Sequence, residues 1–333
     1  MIVGKNVLVL GGAGFIGSYV CRELLEKGYK LTIVDNFSKY GFIQHDYLRH
    51  PNVRLLVKDV RNMYPVEFKG YDIILCLAAL IGGIKYFHKI PYQIARDNNE
   101  LLAYAIDCTL ASSPEAVFVY FSSSMVYERV QHPVTEADAY QQLVPFTNYG
   151  MQKLYGEYMV RGAEQELGLR YLIVRPFNAV GSGELPAVDS KGELEFGMAH
   201  VIPDFVYKAM VRQSPFEILG DGEQVRTFTH ARDVAEALQL ALAKGIVNED
   251  FNFCGLNTFK VSDLALRIWE KVNGEIPFPG FKHLSAPEAD VRFRVGVSEK
   301  AQAILGWTPK YDMDYILDDT IRFIKDNFQA VRR

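Results

Sequence analysis

A chain of 333 residues, 49% of them hydrophobic, is long enough for one large core or two smaller ones. The net charge of -4 is too small and of the wrong sign for a nucleic-acid binder, there is no basic stripe, and no apolar run reaches membrane-spanning length. Cys21, Cys76, Cys108 and Cys254 are scattered and the seven histidines have no ligand spacing, so the sequence predicts buried thiols, a reducing compartment and no metal site.

The N-terminus runs almost directly into an apolar strand at 7–10, which leaves no room for a signal peptide and predicts a cytoplasmic protein. Gly11, Gly12, Ala13 and Gly14 then turn the chain into an amphipathic helix that runs to about residue 27. The pattern Gly11-x-x-Gly14-Phe15-Ile16-Gly17, placed between a strand and a helix, suits a bound dinucleotide. One glycine makes the tight turn, a second lets the backbone approach a pyrophosphate at the positive end of the helix, and Gly17 lets the helix lie close to the strand. A second apolar run, 31–34, ends in Asp35, 18 residues after Gly17. A carboxylate there accepts from a ribose 2′-hydroxyl and repels a 2′-phosphate, so the predicted cofactor is NAD rather than NADP.

Asn36 opens a polar loop, and a third strand at 53–57 leads to Asp59 and Val60. Asp59 either accepts from an adenine amino group or is a turn aspartate. The next predicted strand, 72–79, ends in Leu77, Ala78 and Ala79, small enough for a cofactor to pass close by. The loop at 80–91 leaves the carboxyl end of that strand, where ligands bind in open α/β sheets, and it carries Lys85, His88 and Lys89. A long helix is predicted at 92–110, with Asn98 and Asn99 early in it and Asn99 taken as the cofactor contact. A strand at 116–121 runs into Ser122-Ser-Ser-Met-Val-Tyr127, a second long helix covers 146–167, and a strand at 170–174 runs into Arg175-Pro176-Phe-Asn178.

Residues 182–197 are polar and glycine-rich and read as a loop. Beyond them the pattern is less regular, with helices predicted at about 203–212, 231–243, 262–272, 298–304 and 315–326 and short strands at 216–219 and 250–253. The fold class is α/β, a doubly wound parallel sheet. Residues 1–178 form its dinucleotide-binding domain, 220–254 return to it, and the rest of 179–333 makes a smaller lobe over the strand ends.

Tyr149 and Lys153 are four residues apart and share one face of the second long helix. A phenol is a poor base at neutral pH, but an ammonium one turn away favours the phenolate. Ser123 ends a strand at the same sheet edge. Together the three make a proton relay for hydride transfer at an alcohol carbon. The two long helices carry more apolar residues than one sheet face buries, among them Leu101, Leu102, Tyr104, Ala105, Leu154, Tyr155 and Tyr158.

The pieces Gly11-x-x-Gly14-x-x-Gly17, Ser122–Tyr127, Tyr149-x-x-x-Lys153, Arg175–Asn178, Gly220–His230 and Leu305-Gly-Trp-Thr-Pro309 occur in this order. On them the chain resembles the extended short-chain dehydrogenase/reductase superfamily, and within it the nucleotide-sugar epimerases and dehydratases, over nearly its whole length. The resemblance implies a Rossmann-type sheet with a smaller C-terminal α/β substrate-binding lobe, NAD held also by Pro176, and a nucleotide-diphosphate sugar as substrate. Asn178 and Arg226 look like diphosphate contacts and Arg292 like a second one, with Arg294 able to serve instead. His200, with Val201 next to it, falls where relatives often place an asparagine. Lys85, Ser124 and Met125 belong to the substrate side. Phe216 and Ile218 are either walls for the nucleobase or core, and Trp307 reads as core. Relatives often pair their two long helices into a four-helix bundle, so a homodimer is expected.

The resemblance also sorts the reactions. 4,6-Dehydratases carry an Asp-Glu pair straight after the serine or threonine, where this chain has Ser124 and Met125, so dehydration is disfavoured. Epimerisation at C4 needs only the tyrosine and a dinucleotide that takes hydride and returns it to the other face. The alternative is inversion beside a transient 4-ketone. The stretch 80–83 is similar to that of GDP-mannose 3,5-epimerases, whose cysteine two residues past the serine is Met125 here, and Lys85, His88 or His200 then carry protons. A net ketosugar reductase or sugar dehydrogenase, and a scaffold that only senses dinucleotide, are further readings. The last is disfavoured because Tyr149 and Lys153 are both present.

Overall fold

The computed structural model describes residues 5–39, 41, 45–141, 144–188, 193–195, 197–286 and 291–331. Seven parallel strands make the central sheet: β1 (Asn6–Leu10), β2 (Lys30–Asp35), β3 (Val53–Val57), β4 (Ile73–Cys76), β5 (Val117–Phe121), β6 (Tyr171–Pro176) and, much later in the chain, β10 (Glu249–Phe253). Their order is β10-β6-β5-β4-β1-β2-β3. The order reverses between β1 and β4, and a crevice opens there at the carboxyl ends of the strands.

The inner strands are near-continuous apolar runs because both sheet faces are covered. On one face α1 (Phe15–Glu26) and α6 (Ala231–Ala243) pack with Val20, Leu24, Val234 and Leu238 against Val7, Val9 and Ile33. On the other, α3 (Pro91–Ser112) and α4 (Asn148–Leu167) bury Leu102, Ile106 and Val160 against Leu8, Ile74 and Phe118. α4 starts two residues into the predicted segment because Thr147 caps it, its hydroxyl accepting from Gly150 N at 2.9 Å.

The second lobe is built on β9 (Val225–His230), which pairs with β7 (Ala179–Val180), β11 (Asn257–Lys260) and β13 (Phe293–Arg294). A separate parallel pair joins β8 (Phe216–Leu219) to β12 (Phe281–Leu284). Helices α5 (Val201–Met210), α7 (Val261–Asn273) and α9 (Met313–Val331) enclose a core of Phe205, Phe216, Ile268, Trp269 and Ile316. The chain passes between the lobes more than once. Of residues 220–254 only α6 and β10 return to the large sheet, whereas β9 stays in the second lobe. α8 (Glu299–Leu305) and the buried Trp307 belong to the first core.

The stretch 80–91 is not simply a loop, since α2 (Ile84–Lys89) occupies it. Six residues without a side-chain cap leave little trace in a sequence pattern. The predicted strand 72–79 ends at Cys76, and 77–79 run irregularly along the crevice. The α2 segment is fastened to the approach to α5. Gly83 N donates to Met198 O at 2.7 Å, Lys85 N donates to Gly197 O at 3.0 Å, and a Cβ on Gly83 would stand 2.0 Å from Ala199 O. No described helix is long and apolar enough to cross a membrane.

Candidate active site

The cleft between the lobes, about 440 Å³, begins at the glycine turn. Gly11 has φ +85°, and a Cβ there would lie 2.6 Å from Ala78 N, so the first turn and the end of β4 approach as only glycine allows. A Cβ on Gly17 would stand 2.4 Å from Gly11 O, which is why α1 sits so close to β1. Gly14 is the N-cap of α1. No side chain caps this helix and its first turn holds no acid, so its free N–H groups face the cleft. This cradle fits a pyrophosphate.

Asp35 lines the same end. Its two oxygens accept from Ala13 N at 2.9 Å and Phe37 N at 2.8 Å, so the carboxylate also ties the glycine turn to β2 while retaining lone pairs for a ribose. Asn36 bonds Asp59 at 3.4 Å and Ser38 N at 3.0 Å. Asp59 caps a short 3₁₀ turn and pairs with Arg61 at 2.8 Å, which holds its carboxyl below the usual range, and it too lines the cleft beside Val60. Phe15, Ile16, Leu77, Ala78, Ala79 and Pro176 lie along the same wall. Asn99 does not. Its oxygen accepts from Gln152 at 3.2 Å, and the asparagine in the cleft is Asn98, bonded to Leu80 N at 2.7 Å and Leu80 O at 3.1 Å. One step along a helix rotates a side chain by about 100°, and the sequence alone does not set that phase.

Ser123, Tyr149 and Lys153 meet where β5 and α4 converge. Lys153 Nζ donates to Phe121 O at 2.8 Å and lies 5.8 Å from the Tyr149 ring. Burial pushes its ammonium down to about 8. Burial also pushes the Tyr149 phenol up, while a hydrogen bond from Ser123 and the charge of Arg294 pull it back. Phe87 of α2 stacks on Tyr149, centroids 4.3 Å apart and planes at 4°, and shields one face of the ring from water. Nothing in the sequence pattern singled out Phe87, because it sits in the stretch read as a loop.

Behind the relay is a buried ion network. Glu157, one turn beyond Lys153, accepts from Ser122 Oγ at 2.5 Å and from Arg175 at 2.7 and 2.6 Å, and Arg175 reaches Asp250 at 2.7 Å. Arg175, Glu157 and Asp250 are fully buried. They lock α4 to β6 and β10, and so fix the height of Tyr149.

Across the cleft, His200 bonds the buried Glu184, and both line the cleft with Val201 and Asp204. Burial pushes Glu184 up, but the charge and bond of His200 hold it below the usual range. Asp204 accepts from Gly197 N at 2.7 Å and burial raises it to about 8. Ser124 and Met125, both buried, line the cleft beside the relay. Lys85 and His88 are exposed and are not part of the lining.

Asn178, Arg226 and Arg294 face the cleft together. Asn178 donates to Thr227 O at 2.6 Å and accepts from Arg294, and Arg226 donates to Val225 O at 3.0 Å and to Val291 O. Arg292 is a correction. It lies just before β13, outside the cleft lining, where it makes a half-exposed bidentate pair with Asp221 at 2.8 Å. Phe216 is a second correction. It is completely buried among Phe205, Trp269, Phe278 and Phe281 and walls nothing, and Ile218 is buried in the same core. Among the described residues, no group of three His, Cys, Asp or Glu side chains is placed to hold a metal ion.

A sequence model of the NAD dependent epimerase/dehydratase family matches residues 7–254. The UDP-glucose 4-epimerase of Rhizobium leguminosarum bv. trifolii is 30% identical over 331 residues, 95% of this chain and 96% of that protein. Among solved structures, the UDP-glucose 4-epimerase of Thermotoga maritima with UDP-glucose is similar at a TM-score of 0.82 and 26% identity, covering 97% of this chain and 99% of that one. The UDP-N-acetylglucosamine 4-epimerase of Methanobrevibacter ruminantium M1, in complex with UDP-N-acetylmuramic acid, reaches 0.83 at 25% identity, covering 98% and 100%.

Proposed function

The chain belongs to the NAD-dependent epimerase/dehydratase family, its cofactor is NAD, and on that premise we propose that it is a nucleotide-sugar 4-epimerase. The observation that carries this is the relay of Ser123, Tyr149 and Lys153 in a cleft where Ser124 and Met125 offer no acid or base for dehydration. The glycine turn, Asp35 and Lys153 hold the dinucleotide, and bound NAD supplies a reversible hydride acceptor at C4 of the sugar.

Tyr149 takes the C4 hydroxyl proton and later returns it to the inverted centre. Ser123 orients that hydroxyl by hydrogen bonding. Lys153, fixed by Phe121 O, favours the phenolate through its charge. Phe87 and Met125 exclude water from one side of the relay, and Arg226 and Asn178 hold the diphosphate. The test is turnover by purified protein with no cofactor added. Release of one epimer from the other supports the reading, and a stoichiometric requirement for added NAD or its reduced form points instead to a dehydrogenase or reductase.

A second reading, inversion at C3 or C5 beside the transient ketone, draws on the His200–Glu184 pair. A histidine bonded to a buried carboxylate is suited to carry a ring proton from the wall opposite Tyr149.

The enzyme acts as a homodimer in this account. Met151, Tyr155 and Tyr158 form a stripe along α4 with 44%, 57% and 55% of their surface exposed. Leu102, Ala105 and Leu154 are taken up inside the subunit, so the stripe is what remains to be covered. Replacing Tyr155 and Tyr158 together by Glu yields a monomer at micromolar concentration by light scattering, and a monomeric wild type contradicts the assembly.

A further inference from the structure

Arg294 is a half-buried charge that no carboxylate among the described residues contacts. Two arginines flank Phe293, and Arg292, just before β13, pairs with the carboxylate of Asp221. Arg294 turns inward. One terminal nitrogen lies on Met125 Sδ, the other on Asn178 Oδ1, and its Nε is buried without a hydrogen-bond partner. A guanidinium has five donors in a planar fork, and a thioether and one amide oxygen satisfy few of them. Among the described residues no carboxylate comes within 4.0 Å of it. Glu128 and Tyr149 act on it only from farther off, and the two Glu128 oxygens already accept from Thr147 N at 2.7 Å and Thr147 Oγ1 at 2.5 Å.

The position of this charge decides what it meets. Met125 lies two residues beyond Ser123, and Arg294 is near enough to Tyr149 for its charge to act on the phenol. Both neighbours belong to the end of the cleft where the sugar ring reacts. Arg226 faces Arg294 in the β9–β13 register and lines the same cleft. A second cation beside it, half-buried and with no carboxylate within 4.0 Å among the described residues, calls for a second anion on the ligand.

We propose that Arg294 pairs with a carboxylate on the substrate's sugar, so that the substrate is a nucleoside-diphosphate hexuronic acid rather than a neutral hexose. This rests on the reading of the cleft as a nucleotide-sugar site. In a hexuronic acid the carboxyl carbon is attached to C5, next to C4, which brings it within the reach of a guanidinium that adjoins both Met125 and the relay. The planar fork takes it through two parallel N–H donors.

Calorimetry on the NAD-loaded protein tests this with matched pairs, the glucuronate and the glucose of uridine, guanosine or thymidine diphosphate, using the base that binds. The expected result is tighter binding of the glucuronate by roughly 10- to 100-fold, the range of a charge-assisted pair. Arg294→Met removes that preference and Arg294→Lys keeps part of it. Equal affinity of the wild type for the two sugars overturns the proposal. An Arg294→Met variant that weakens the bare nucleoside diphosphate by the same factor also overturns it, by making Arg294 a diphosphate contact. Should Arg294→Met not fold, the wild-type ratio decides alone. Hexuronate preference without inversion at C4 sinks the 4-epimerase reading and leaves this one standing. Inversion of the neutral hexose without preference does the reverse, and failure of every pair to bind ends both.

Discussion

The two walls of the cleft hold their charges in different ways. Behind the relay, Arg175 is enclosed by Glu157 and Asp250 at 2.6–2.7 Å, and Ser122 and Lys300 extend the network to β5 and α8. On the facing wall, among the described residues, Arg294 has no carboxylate within 4.0 Å, and Glu184 Oε2 and Asp204 Oδ1 are buried without hydrogen-bond partners. The first wall pairs its charges within the protein, although Arg175 Nη1 and Asp250 Oδ2 make no hydrogen bond, and it serves to place Tyr149. The second, among the described residues, leaves its charges without ion-pair partners of that kind. A wall that balances its own charges is built for position, and a wall that does not is built for a ligand.

The contrast is broken most severely at the relay. Tyr149→Phe removes the base without disturbing the ion network, so NAD stays bound and turnover falls about 10²- to 10⁴-fold. Absorbance and mass analysis of the purified variant follow the cofactor, and near-normal activity sinks the mechanism. Arg175→Met attacks the ion-paired wall. It leaves Glu157 and Asp250 buried without their partner, and urea unfolding is expected to register a loss on the order of 3–5 kcal/mol. A loss under about 1 kcal/mol shows that the network is not what holds α4 in place.

Gly11→Ala sets a methyl against Ala78 N at a positive φ, with a backbone cost of about 1–2 kcal/mol before the contact is counted. The variant should purify largely free of NAD, and a fully loaded one refutes the close approach. The smallest effect sharpens the account of Lys153. Burial lowers its ammonium from the ordinary 10.5 to about 8. Between those values the unfolded chain binds more protons than the native one, so this residue makes stability rise with pH by up to about 1.4 kcal/mol per unit. Lys153→Met lacks the increment, and parallel pH profiles of the two proteins contradict it.

What was legible in the sequence follows the same division. The glycine turn, Asp35, Ser123, Tyr149 and Lys153 are fixed by local rules: a strand running into a turn, a turn running into a helix, and residues four apart on one helix face. They all lie at the crevice. The facing wall is assembled from segments far apart in the chain, and there the pattern misled. Arg292 and Arg294 look equivalent until it is known that Arg294 lies in β13 opposite Arg226 of β9 and that Arg292 precedes the strand. Phe216 reads equally as wall or core until four aromatic rings close around it. Asn98 and Asn99 differ only in helix phase. The Glu157–Arg175–Asp250 network joins α4, β6 and β10 across more than ninety residues, and no spacing announces it.

The most direct test of the central claim is turnover of the accepted nucleotide sugar in heavy water, with no cofactor added, followed by NMR. The account predicts inversion at C4 with no solvent deuterium in the ring, because the hydrogen removed from C4 is the one returned. Deuterium at C3 or C5 contradicts it. That result moves the chemistry to enolisation beside the ketone, with His200 and Glu184 the first side chains to replace.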